Sequence, residues 1–237
     1  MAGFENGLVA REGLIAHGRG ESFDYLLGEQ TTESALISIN AASALFILAD
    51  CPVLSVNGNT AALCGKEICD LNRSLERSSI EVNLFYRTEK REKLIVNELK
   101  KHGAKKILGV GQTKSKEIPE LGSNRRMVDP DGIFIADVVF VPLEDGDRTM
   151  ALKKMNKKVI TVDLNPLSRT SITSDISIVD NVVRSIPQLT RCVEHHKKNS
   201  TKKELEEIVR CYDNEQCIKE SISAIRSSKR LTKTLML

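Results

Sequence analysis

"DVVFVPLEDGDRTMALKKMNKKVITVDLNP", residues 137–166, holds two apolar runs separated by a segment of helical composition. Neither run alternates apolar with polar residues. "DVVFVPL" and "KKVITV" are nearly continuous in Val, Ile and Phe, the pattern of strands covered by helices on both faces. Strand, helix and strand in that order make a crossover between parallel neighbours. Working outward, "TTESALISINAASALFILAD" opens on threonine caps and a glutamate and reads as a buried helix. "CPVLSVNGN" is a short strand ended by Asn-Gly, "TAALCGKEICDLNRSLER" a helix and "SIEVNLFYRT" a strand. "EKREKLIVNELKKHG" is an amphipathic helix stopped at Gly103, and "AKKILGVG" a strand. "DPDGIFIA" opens as a short helix does, "SDISIVDN" is a last strand, and from Asn181 the chain is mostly helical. The expected fold is therefore α/β: a Rossmann-like three-layer domain with a mostly parallel sheet over residues 1–196. A helical C-terminal extension, 197–237, packs on that body or on a second subunit.

Composition narrows the class. The chain has 237 residues, 41% hydrophobic and 28% charged, close to the average of globular proteins. It has no Trp and 4% aromatics, too few for a nucleic-acid surface built on base stacking. From Arg191 onward lie 11 of the 35 Lys and Arg but 7 of the 32 Asp and Glu, leaving 24 against 25 upstream. A neutral body with a basic, solvated helical tail does not call for a nucleic-acid partner. The six cysteines form no C-x-x-C pair, which argues against zinc. The opening "MAGFENGLVAREG" is too polar for a signal peptide, and the apolar run "ALFILA" is far too short to span a membrane. A cytoplasmic protein with reduced thiols and no membrane partner is expected.

In an open parallel sheet, ligands bind beyond the carboxyl ends of the strands. Those ends read "VNGNT", "FYRT", "GVGQT", "PLEDGDRT", "VDLNPLSRT" and "IVDN". Turn chemistry explains Gly, Asn and Asp there, but not Arg87, Arg148 and Arg169, each followed by Thr. Arginine forks, threonine hydroxyls and helix N-termini suit phosphate. Acidic residues among them, as in "EDGD" at 144–147, suggest a cation between, and Mg²⁺ on phosphate oxygens is the usual solution. Asp163 and Asn165 sit at a strand tip, where Asp suits ribose hydroxyls and Asn a base edge. No P-loop motif is present, and "GVGQTK" has Lys114 where a dinucleotide fingerprint needs its third glycine. In "GLIAHGRGESFDYLLGEQT", residues 13–31, Gly18 and Gly20 suggest a flexible elbow that brings Arg19 to an anion.

"GLIAHGRGESFDYLLGE", "VNGNTAAL", "NLFYRT", "VPLEDGDRTMAL", "DLNPLSRT" and "IVDNVVR", in this order from about Leu8 to Pro187, closely resemble the archaeal phosphopantothenate synthetase (4-phosphopantoate–β-alanine ligase) family. The resemblance implies a homodimeric enzyme of coenzyme A biosynthesis that joins 4-phosphopantoate to β-alanine, with ATP as co-substrate and AMP and pyrophosphate released. It implies nucleotide contacts from Arg19, Asp163, Leu164, Asn165, Arg169, Thr170, Asp180 and Asn181. Family members begin with further residues that include another nucleotide-contacting arginine, so this chain is expected to start inside the first helix. AMP release implies an acyl adenylate, with Arg and Mg²⁺ stabilising charge on phosphate. Arg87 and Arg148, with Asn57 nearby, are the candidates for the substrate phosphate, and Asp145 for Mg²⁺. The alternative is a nucleotide-binding regulatory protein of the same fold, without turnover.

Overall fold

A computed structural model describes residues 1–111, 115–119, 121–143 and 145–227. Residues 112–114 of "GVGQTK", Glu144 of "EDGD" and 228–237 of the expected extension lie outside them. Three short or long helices come first: α1 (Ala2–Glu5), α2 (Arg11–Leu27) and α3 (Glu33–Leu48). Then follow β1 (Pro52–Val56), α4 (Gly58–Ser74), β2 (Ser79–Val82), α5 (Glu89–Lys101) and β3 (Ile107–Leu108). A two-stranded antiparallel ribbon, β4 (Lys116–Glu117) and β5 (Met127–Val128), precedes β6 (Val138–Pro142), α6 (Gly146–Lys154), β7 (Lys158–Val162), α7 (Arg169–Thr173) and β8 (Ile176–Ile178). Helices α8 (Val182–Asn199), α9 (Lys202–Cys211) and α10 (Asn214–Ser227) end the described chain.

Six strands form one parallel sheet in the order β3-β2-β1-β6-β7-β8. Counting only these six, the order is that of a doubly wound dinucleotide-binding sheet, with its reversal between β1 and β6. Side chains alternate between the faces. Leu54, Val56, Ile80, Phe140, Ile160 and Ile178 pack with α3, α4, α5 and α8 in the larger core. Val53, Val139, Val141 and Val159 face α6 and the 118–136 segment in the smaller one. Helices α9 and α10 pack against α3, and α10 also touches α2, α7 and β8. Among the described residues no helix is long and apolar enough to cross a membrane.

The second face is partly polar. Ser55 of β1 and Glu81 of β2 are register partners, and both are buried with Arg148 of α6. The Glu81 carboxylate accepts the backbone N–H groups of Ile133 (2.7 Å) and Asp129 (3.1 Å). These bonds explain why "DPDGIFIA" is not the expected short helix: its amides go to Glu81 and to tight turns, and the segment folds as turns. A Cβ on Gly132 would lie 2.2 Å from Glu81 Oε2, so only glycine fits over that carboxylate. The strand expected in "AKKILGVG" is reduced to Ile107–Leu108, because Gly109 N–H is drawn to Asp129 (3.1 Å) and its carbonyl to Arg87 (2.5 Å). Gly18 and Gly20 form no elbow either; α2 runs through both as continuous helix.

Burial pushes the Glu81 carboxyl up to about 7, against the two amide bonds and the nearby Arg148 charge, which favour the ionised form. A carboxyl raised in the folded state contributes stability that is complete below its unfolded value and lost as pH rises through the folded one. Denaturation midpoints are therefore expected to fall between about pH 5 and pH 8, and Glu81→Gln is expected to flatten that fall. An unchanged pH slope in the variant contradicts the assignment.

Candidate active site

Of the helices that start at the carboxyl edge behind a side-chain cap, four concern the site: α4, α6, α7 and α8. Asn57 Oδ1 accepts Thr60 N–H at 3.0 Å, and Asp145 Oδ1 accepts Arg148 N–H at 3.0 Å. Ser168 Oγ accepts Ser171 N–H at 3.0 Å, and Asn181 Oδ1 accepts Val183 N–H at 3.2 Å. The first residues of all four helices, Gly58, Gly146, Arg169 and Val182, line one cavity of about 680 Å³. Positive dipole ends converge there, which favours an anion. A Cβ on Gly58 would lie 2.2 Å from the Leu8 carbonyl oxygen and 2.7 Å from Arg91 Nη2. Glycine thus lets the N-terminal segment cross directly over the start of α4.

Helix α2 closes the cavity with Gly13, His17, Arg19, Gly20 and Phe23. Leu27 and Phe23 pack on Leu164 and Val179, and an ionic network adds to the hold. Asp24 is buried and pairs with Arg184 of α8 at 2.5 and 3.0 Å, while Asn181 Nδ2 donates to Asp24 (2.8 Å) and to Glu21 (3.2 Å). Arg184 also donates to Asp180 at 2.7 and 3.0 Å, and Thr31 donates to the other Asp180 oxygen at 2.7 Å. Burial raises the Asp24 carboxyl, but the Arg184 and Asn181 bonds outweigh it and hold it below the ordinary value. At Asp180 burial wins, and the carboxyl is pushed up.

Of the twelve residues singled out above, nine line the cavity: Arg19, Asn57, Asp145, Asp163, Leu164, Asn165, Arg169, Thr170 and Asn181. Asp163 accepts Ser168 Oγ–H (2.6 Å) and Asn165 N–H (2.9 Å), and burial pushes its carboxyl up. Arg169 is exposed and pairs with exposed Asp147 at 2.7 Å, a contact that costs little to exchange for phosphate. Asn57 is spent on structure: besides capping α4, its Nδ2 donates to the Leu143 carbonyl at 3.0 Å. Asp145 also has two tasks, capping α6 and pairing with Arg125 at 2.5 Å. Among the described residues no group of three His, Cys, Asp or Glu side chains could hold a metal.

Asp180, Arg87 and Arg148 do not line the cavity. Asp180 lies behind it, holding Arg184 and the Asn181 amide (2.7 Å). Arg87 is turned inward onto Glu92 and the Gly109 carbonyl. Arg148 is fully buried, with Nη1 donating to Ser55 Oγ at 3.0 Å. A strand-end position alone did not tell which way these two arginines turn. Two others, Arg91 and Arg125, line the cavity instead. Arg91 sits on α5, where "EKREK" reads as a solvated face, and Arg125 on a short 3₁₀ turn, where no periodicity marks it.

The α2 clamp yields a direct test. Arg184→Met leaves two carboxylates without their cation, a loss expected to cost about 3 kcal/mol of unfolding free energy. Amide exchange in α2 is expected to rise before exchange in the sheet. A loss below about 1 kcal/mol with α2 still protected contradicts the clamp.

Comparison with known proteins matches residues 34–228 to the family model for phosphopantothenate/pantothenate synthetase. The chain is 50% identical over 234 residues to a 4-phosphopantoate–β-alanine ligase of Thermococcus kodakarensis, covering 98% of this chain and 87% of the relative. It is 51% identical, with the same coverage, to the enzyme so named in Thermococcus onnurineus. The relative so named in Methanosarcina mazei is 49% identical over 225 residues, 95% of this chain and 87% of that one. The Rossmann-like sheet, the anion-seeking cavity and these matches agree: this chain belongs to the phosphopantothenate/pantothenate synthetase family.

Proposed function

We propose that this protein is a 4-phosphopantoate–β-alanine ligase that uses ATP and releases AMP and pyrophosphate, as a step of coenzyme A biosynthesis in the cytoplasm. The observation that carries the reading is the single cavity onto which four helix N-termini open, in a chain about half identical to proteins of that name. ATP occupies the end built by Arg19, Asp163, Leu164, Asn165, Arg169, Thr170 and Asn181. Asp163 and Asn165 take the nucleoside, Arg19 and Arg169 the phosphates. Asp180 acts from behind, by fixing Asn181 and Arg184. Mg²⁺ enters as part of the nucleotide substrate, carried on phosphate oxygens. Asp145, capping α6 and pairing with Arg125, is not reserved for it.

A carboxylate oxygen of 4-phosphopantoate attacks the α-phosphorus, the bond to the β-phosphate oxygen breaks, and pyrophosphate leaves. The β-alanine amine then attacks the acyl carbon; AMP leaves and the amine gives up its extra proton. No side chain need become covalently modified. Helix dipoles and guanidinium groups stabilise charge on phosphate, and positioning supplies much of the rest. A homodimer is part of the proposal. Its support is the apolar surface left bare: Ile15 on α2 is 63% exposed, and Leu36 and Ile37 on α3 are 48% and 45% exposed.

The test is a product assay with each substrate omitted in turn. AMP and pyrophosphate are expected only when 4-phosphopantoate is present, and the amide only when β-alanine is added. Arg169→Ala is expected to weaken ATP binding by about 1.5–3 kcal/mol, with little effect on folding. The same preparation is expected to sediment as a dimer. Nucleotide binding without any turnover contradicts the ligase reading and leaves a binding protein.

A further inference from the structure

We propose that His17 is the general base of the second step, taking the proton that the β-alanine nitrogen must lose as the amide forms. The proposal rests on the ligase reading and supplies it with a proton acceptor. Of the four histidines, only His17 lines the cavity. Among the described residues no lysine or cysteine lines it. The other ionisable side chains there are committed elsewhere. Asp145 caps α6 and pairs with Arg125, and Asp163 accepts the Ser168 hydroxyl and the Asn165 N–H. Glu12, exposed in the first turn of α2, is the acid acting on Arg91. Arg19, Arg91, Arg125 and Arg169 are donors only, and the Tyr86 phenol is a weak acceptor.

The backbone of α2 puts His17 midway across the site. At Gly13 the carbonyl accepts Asn59 Nδ2–H at 3.0 Å, so this turn rests on the start of α4. At Gly20 a Cβ would lie 3.9 Å from Leu164 Cδ1, so the later turn rests beside Asp163 and Asn165. His17 shares their face of the helix, about 6 Å along the axis from Gly13 and about 4.5 Å from Gly20. Its neighbours on that face, Gly13, Ala16 and Gly20, are small and leave space for an amine beside the ring. Glu21 Oε1 lies 3.3 Å from His17 Nε2 and is itself held by Asn181 Nδ2 at 3.2 Å. A carboxylate at Nε2 favours the tautomer with its proton there, leaves Nδ1 to accept, and stabilises the imidazolium that forms. In the step, the nitrogen lone pair bonds to the acyl carbon and His17 takes a proton from that nitrogen. The acyl C–O bond breaks, and its electrons leave on AMP. The His17 and Glu21 side chains are 32% and 35% exposed, so the imidazolium returns its proton to water.

Attack of the carboxylate on ATP moves no proton, so a base is needed in the second step alone and the two steps are measured separately. Exchange of labelled pyrophosphate into ATP, dependent on 4-phosphopantoate and run without β-alanine, reads the first. Amide formation reads the second. His17→Gln is expected to keep exchange within about threefold of the wild type while amide kcat falls roughly 100-fold and KM for β-alanine holds within about threefold. The acidic limb of the kcat–pH profile is expected to vanish in the variant. Free imidazole is expected to restore amide formation to His17→Ala. Hydroxylamine, a weakly basic nucleophile that needs less help in shedding its proton, is expected to narrow the deficit of His17→Gln to below about tenfold. An amide rate within about threefold of the wild type overturns the assignment. So does exchange that falls in step with amide formation, the mark of a nucleotide contact or of a disturbed α2. Absence of exchange in the unmodified protein overturns the adenylate route of the ligase reading, and the assignment falls with it.

Discussion

Asn57 sits where the sheet divides. Its Oδ1 accepts the Thr60 N–H that opens α4, and its Nδ2 reaches across to the Leu143 carbonyl beyond β6 at 3.0 Å. One amide thus joins the two strands from which the chain winds in opposite directions. Parallel strands at a reversal of winding leave a gap at their carboxyl ends, because the helices that follow turn to opposite faces. Everything functional in this chain follows from that gap. Helices α4 and α6 start on either side of it, α7 and α8 start along the same edge, and their positive ends share one space. The helix α2 then lies across the opening, held by the buried Asp24–Arg184–Asp180 network.

The two faces of the sheet do different work. The larger core is close to purely apolar and supplies cohesion through α3, α4 and α8. The other face has exchanged part of its apolar contact for Glu81, Ser55 and Arg148. Such a buried set contributes little net stability, since desolvation cancels much of its attraction. What it supplies is position. Glu81 fixes the 129–133 turn, Asn83 fixes the loop before it, and Arg125 is presented to the cavity. The charges that line the cavity are thus set by charges that never reach it.

The sheet and its crossovers were legible because strands buried on both faces are apolar without alternation, and because Thr, Asn, Asp and Ser stand at helix starts. The expected cap at Thr32 forms, accepting the Ala35 N–H at 3.2 Å, and Thr88 caps α5 in the same way at 3.3 Å. Composition did not reveal how Glu81 competes for the amides of "DPDGIFIA", a contact made across more than forty residues. Glycine content misled in α2, where side-chain pairing at Asp24 and Asn181 holds helix through Gly18 and Gly20. That Asp163, Asn165, Arg169 and Asn181 share a cavity was legible from strand-end motifs and from a family resemblance. The rest of its lining was not. Arg87 and Arg148 stand at strand ends but turn inward to Glu92 and Ser55, whereas Arg91 and Arg125 reach the cavity from a helix face and a loop.

The central claim is that this edge activates a carboxylate by transferring the nucleotide's α-phosphoryl group to it. The most direct measurement follows oxygen. 4-Phosphopantoate labelled with ¹⁸O in its carboxylate is turned over with ATP and β-alanine, and the phosphorus products are examined by mass. The adenylate route places one labelled oxygen in AMP and none in pyrophosphate. Label in inorganic phosphate alongside ADP, or unlabelled AMP, contradicts the account.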